Sequence, residues 1–216
     1  MSFLLQFRTG VICGIISGEV IELQYIFDAG CSAAIYQLQG KSFGFPDMTT
    51  ALCPHCRKEY LKKHGFYGRY LITVDFEGEV MIRRYCCPEC GKTVSLLPSF
   101  CHPKRTYGVM AIVGLLREFY VEMRAACLAV ASFLLASGIA CSRQLLRHYR
   151  RRIEQSLNSL VMAITDIRCL KEPLVTGAKD IRGKVRQMLS VIESPQDDSL
   201  KIFKRTRTTY LTPQPI

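Results

Sequence analysis

Cys53-Pro54-His55-Cys56-Arg57 and Cys87-Pro88-Glu89-Cys90-Gly91 are two copies of one local design. Each sets two thiols about one turn apart, and together they supply four soft ligands for a closed tetrahedral zinc site. Proline after the first cysteine stiffens each turn. Gly91 permits a left-handed residue, so that backbone amides can point at sulfur. Arg57 stands at the equivalent place in the first copy, which is therefore expected to be looser. Cys86 competes with Cys87, but only Cys87 repeats the Cys-Pro-x-Cys arrangement. Cys101-His102 is a further pair, which four thiols make unnecessary. The expected cofactor is structural Zn2+ on Cys53, Cys56, Cys87 and Cys90. The same ligands accommodate iron, although nothing else in the sequence suggests electron transfer. A closed four-thiol shell leaves no open position for catalytic water.

Thirty residues separate Cys56 from Cys87, and a β-hairpin accounts for them. Tyr70-Leu71-Ile72-Thr73-Val74 is rich in β-branched and aromatic residues, Glu77-Gly78 is a turn signal, and Val80 to Tyr85 returns. Lys62, Lys63, His64, Tyr67, Arg69, Arg83 and Arg84 interleave cations with aromatics around this ribbon. That mixture suits phosphate contact with base or sugar stacking; a solvated sheet face is the plainer alternative.

Beyond Thr106 the apolar period becomes helical. Tyr107 to Met123 and Ala125 to Ala136 read as two helices. Arg117, Glu118, Glu122 and Arg124 interrupt the apolar region from Val109 to Ala136 and exclude a bilayer span. Ser137-Gly138-Ile139-Ala140 is a tight connection, and Ser142 caps a third helix. Residues 138–152 carry five arginines and no acidic residue. This pattern fits a helix-turn-helix, with a charged α-hairpin as the plainer reading. Ser142, Arg143, Gln144 and Arg147 would reach base edges, and Arg150 and Arg151 would hold phosphates. Asp180 starts a further helix through Ile192, and Ser194 to Asp198 is expected to end it. The tail through Pro213 and Pro215 is expected to be extended.

The whole chain has 216 residues and a net charge of +11. The excess is concentrated in the Cys-rich segment, the arginine-rich helix and the tail, which suits a polyanion partner; solubility or an acidic protein partner is the plainer reading. The scattered remaining cysteines show no disulfide spacing and fit a reducing cytoplasm. No secretory leader is evident at the N-terminus. No nucleotide-binding loop, hydrolase triad or acidic metal triad stands out, so no enzyme is expected. The expected fold class is α+β, a small zinc β-ribbon followed by an all-α region with a helix-turn-helix. The expected segments are 1–50, of unclear fold; 51–105, the four-Cys ribbon; 106–170, the helix-turn-helix region; and 171–216, a C-terminal helix with a basic tail.

The Cys-Pro-x-Cys knuckle, Lys63-His64-Gly65-x-Tyr67-x-Arg69 and Arg84-Tyr85-x-Cys87-Pro88-x-Cys90-Gly91-Lys92-Thr93 resemble the zinc-ribbon heads of transposases from bacterial insertion sequences. With Ser95-Leu96-Leu97-Pro98 and the helical region behind it, the chain also resembles small mobile-element proteins that carry a domain of unknown function. The resemblance covers residues 50–155. It implies a sequence- or structure-specific DNA-binding protein, a transposase-like accessory or regulator. It does not imply catalysis, because the family's catalytic acids have no counterpart here. DNA is the expected partner, with a transposase, a recombinase or a second copy of the chain as further candidates, and no membrane. A zinc-ribbon adaptor for proteins and a degenerate or truncated transposase subunit are the alternatives.

Overall fold

The computed structural model describes residues 23–169 and 180–206. The expected chain break around Pro173 and Gly177 lies outside these residues, as do the tail prolines and the residues before Leu23. The class is mixed α+β, with a four-stranded sheet and six α-helices among the described residues.

The hairpin is longer than its β-branched core suggests. Strands β2 (Lys62–Ile72) and β3 (Glu77–Cys86) pair antiparallel along their whole length. The turn is Thr73 to Phe76 rather than Glu77-Gly78, because the Thr73 amide donates to the Phe76 carbonyl at 2.7 Å. The Thr73 hydroxyl donates to Asp75 and Phe76. Gly78 pairs with Leu71 inside the ladder. A register shift between Lys63 and Gly65 leaves His64 as the extra residue of a bulge, without a ladder partner on β3.

Two more strands complete the sheet in the order β1-β4-β3-β2. Strand β4 (Thr93–Pro98) leaves the second knuckle and lies antiparallel to β3. Strand β1 (Leu23–Phe27) lies parallel to β4 on its other side. All six residues of β4 are buried, as a central strand covered on both faces requires. Helix α1 (Ala33–Gln39), capped by Ser32, packs on the sheet through Ala33 and Tyr36. The Tyr36 hydroxyl donates to the Met81 carbonyl at 2.7 Å. Its ring meets Phe43, Phe45 and Phe100, forming an aromatic cover over the sheet.

The helical half contains α2 (Val109–Tyr120), α3 (Ala126–Ser137), α4 (Arg143–Ile167) and α5 (Ile181–Ser190). Helix α4 is amphipathic, burying Leu146, Tyr149, Ile153, Leu157, Leu160 and Ile164 on one stripe. Residues 195–206 form a sixth helix, α6 (Pro195–Thr206), where the sequence reading expected a stop. Proline lacks only an amide that the first helical turn leaves unbonded, so Pro195 starts this helix. Asp197 and Asp198 follow in its first turn, where the helix dipole favours acids. Helix α6 bridges the halves: Leu200 and Phe203 join the sheet core, whereas Ile202 joins the helical core.

The ribbon and the helices meet at a stitched joint. The Ile72 amide donates to Thr106, the Gly108 amide to Ile72 and the Val109 amide to Phe100. A Cβ at Gly108 would meet the Phe100 carbonyl oxygen and Thr73 Cγ2 at 2.8 Å, so only glycine allows this approach. No helix among the described residues is long and apolar enough to cross a membrane.

Candidate metal centre and basic faces

Both knuckles fold alike. The Arg57 amide donates to the Cys53 carbonyl and the Gly91 amide to the Cys87 carbonyl, each at 2.9 Å. Each first cysteine also donates its amide forward, Cys53 to Glu59 and Cys87 to Lys92. Gly91 has φ 68° and Arg57 has φ 55°. The two knuckles thus share one backbone geometry, and Arg57 adopts the left-handed conformation that glycine takes more cheaply.

The four thiols converge, with their sulfur atoms within 4.8 Å of one another. The Cys53–Cys90 pair is 3.7 Å apart and the Cys56–Cys87 pair 3.6 Å. A tetrahedron of Zn–S bonds near 2.3 Å has edges of about 3.8 Å. The four residues can therefore hold a metal ion, in a geometry consistent with zinc. Backbone amides surround the sulfurs: those of Lys58 and Glu59 donate to Cys56, those of Glu89 and Cys90 to Cys87, and that of Lys92 to Cys90. Burial pushes the Cys87 thiol up and the Cys90 thiol to about 12. The Lys58 amide leads in pulling the Cys56 thiol down to about 7. Four sulfurs this close repel when ionised, and a cation among them removes that cost. Cys86 is outside the cluster, its thiol directed at the carbonyls of Cys87 and Gly91. Two contacts tie the knuckles at their rims, Lys58 to Glu89 at 3.8 Å and Lys92 to His55.

The sequence-derived basic residues separate into outward and inward groups. On the ribbon, Lys62, Lys63 and His64 are exposed beside the knuckles. Tyr67 lies under the Arg84 guanidinium, which also donates to Thr93. Arg83 stacks over Phe66 at 4.6 Å and over Tyr85. Arg69 donates to the carbonyls of both His102 and Arg105, holding the joint. On α4, Ser142, Arg143, Gln144, Arg147 and Arg151 are exposed. Arg150 turns inward, 3.9 Å from the centre of the Phe119 ring and paired with Glu154.

Helix α4 begins where the sequence places it. Gly138, at φ 71°, closes α3, and the Ser142 hydroxyl accepts the Leu145 amide at 3.0 Å. Five residues, 138–142, connect the two helices. The outward basic groups stand at opposite ends of the hairpin, because Lys62 begins β2 whereas Ile72, at its end, bonds the joint. Ten residues of strand amount to about 33 Å.

Arg105, not singled out in the sequence, lies within electrostatic reach of Arg152, Tyr149 and His148. Its only sequence signal was the basic pair Lys104-Arg105 after Pro103, and its nearness to α4 depends on the joint. His102, beside it, is fully buried. Burial, ahead of the neighbouring Arg105 and Arg69, holds its imidazole down to about 3. Its Nδ1 is 3.1 Å from the Pro103 carbonyl, which can only accept, so Nδ1 carries the proton.

No curated protein and no solved structure matches the chain. Residues 53–128, from the first knuckle into the start of α3, are similar to a family described as a domain of unknown function (DUF6431).

Proposed function

We propose that the chain is a DNA-binding protein without catalytic activity, in which a zinc-stapled ribbon and a helix-turn-helix formed by α3 and α4 contact one duplex. The observation that carries this reading is the start of α4. Arg143, Gln144, Arg147 and Arg151 project from a Ser142-capped helix whose opposite stripe is buried. An exposed, arginine-rich face at a helix start suits entry into a major groove. Zinc would be held by Cys53, Cys56, Cys87 and Cys90, where it supplies a structural crosslink rather than a reaction. Lys62, Lys63 and His64 would hold backbone phosphates beyond the groove that α4 reads. The reduced cysteines suit the cytoplasm. The resemblance to transposase heads suggests a mobile-element accessory or regulator.

The test is selection of bound sequences from random duplexes with the purified, metal-loaded protein. A recurring motif is expected, and Arg143→Gln with Arg147→Gln should relax it. Recovery no different from the input pool would overturn the reading.

One observation favours a second reading, a protein-interaction adaptor. Helix α3 has no charged residue, and it exposes Leu128, Leu134 and Leu135, the last at 87%. Exposed leucines along one helix mark contact surfaces. A defined protein partner released by Leu135→Glu, together with no duplex binding, would favour the adaptor.

A further inference from the structure

The joint brings a cation from the ribbon side onto α4. Arg69, in β2, donates to the carbonyls of His102 and Arg105. The next residue, Thr106, accepts the Ile72 amide. The Tyr107 hydroxyl donates to the Ala140 carbonyl at 3.0 Å, two residues ahead of the Ser142 cap. Segment 105–107 is thus tied at one end to the ribbon and at the other to the connection before α4.

Held by these bonds, Arg105 lies within electrostatic reach of Arg152 and His148, and His148 also within reach of Arg151. Among the described residues, none of these four forms an ion pair with a carboxylate. Desolvation, then Arg105, Arg152 and Arg151, holds the His148 imidazole below its ordinary value. Clustered cations repel, and an anion among them relieves that repulsion. Guanidinium groups suit a phosphodiester because their planar donors match its oxygens.

We propose that Arg105, His148, Arg151 and Arg152 form a composite site for one backbone phosphate of duplex DNA, with Arg69 as its positioning residue. The proposal rests on the DNA-binding reading and deepens it. The ribbon then acts on the helix side through Arg105, besides any contact of its own. The phosphate here fixes where α4 lies on the duplex and carries no sequence information.

The experiment titrates duplex affinity against salt for the zinc-loaded protein and for Arg105→Gln and Arg152→Gln. Each substitution should weaken binding roughly tenfold near 0.1 M salt and reduce the salt slope by about 1. Each should leave the ratio of preferred to random duplex unchanged and the melting temperature unmoved. Arg69→Lys should lower the slope in the wild-type background and add nothing to Arg105→Gln. Normal slopes in both glutamine variants would overturn the composite site while leaving the DNA-binding reading intact. A changed sequence ratio would also overturn it, because Arg105 would then read a base. Absence of any wild-type duplex binding would overturn both.

Discussion

The knuckle end of the ribbon and the helical half are held together by different means. Between residues 51 and 61 only Cys53 and Leu61 are buried. Helix α2 alone buries eight of its twelve residues, and α4 adds an apolar stripe of its own. The helical half is organised by apolar area removed from water. The knuckles have little such area, and four sulfurs occupy the place of a core. A crosslink through metal suits a segment too small to bury enough apolar surface. The difference teaches where stability would be conditional: with a metal as its staple, the ribbon's free end would depend on a ligand, whereas the helices depend on packing.

The largest expected effect breaks the comparison at its conditional side. Chelation of the metal, or Cys90→Ser, should abolish protection from hydrogen exchange in residues 51–61 and 86–93. Helices α2 and α4 should retain theirs. Metal–thiolate binding in small zinc modules contributes on the order of 10 kcal/mol, enough to decide whether the knuckles fold. Equal loss in both halves, or none in the knuckles, would show that the contrast is wrong.

A smaller effect lies at the joint. His102 is neutral in the fold, held down to about 3, whereas in the unfolded chain it takes up a proton near 6.5. Below pH 6.5 the unfolded state binds more protons, so the contribution is complete above that value. It falls as pH drops toward 3, by up to about 1.4 kcal/mol per pH unit. Between pH 7 and pH 5 the loss should be about 2 kcal/mol, an order-of-magnitude figure. Metal-bound thiolates also respond to acid, so the difference between wild type and His102→Gln isolates the histidine. Parallel pH profiles for the two proteins would refute this assignment.

The smallest effect sharpens the comparison within the ribbon itself. Arg57 holds the left-handed conformation that Gly91 holds in the second knuckle. Arg57→Gly should relieve strain of about 1 kcal/mol, partly offset by the greater freedom of glycine when unfolded. Competition against a chelator should show metal held as tightly or slightly more tightly. Weaker retention would mean that the arginine side chain, not the backbone, serves the site.

The knuckles were legible in the sequence because metal geometry fixes thiol spacing, and the repeated proline distinguished Cys87 from Cys86. Helix α4 was legible because its cap, Ser142, and its apolar period agree. Strands β1 and β4 were harder to read. Their parallel pairing joins residues about seventy positions apart, Leu23 to Val94. A short apolar run such as Leu96-Leu97 also does not distinguish strand from helix. Pro195 was read as a stop, yet proline fits the first helical turn as well as the residue after a last one. Arg69 and Arg150 look in sequence like any surface cation. Only the fold reveals that one holds the joint and the other lies on Phe119.

Duplex affinity of the metal-loaded and metal-stripped protein, measured across a salt series, tests the central claim most directly. The loaded protein should bind with a steep negative dependence of log affinity on log salt. The stripped protein should bind more weakly and with a shallower slope, since its ribbon phosphate contacts are lost while α4 remains. Binding that ignores salt, or identical curves with and without metal, would contradict the account of a metal-stapled ribbon working with α4 on DNA.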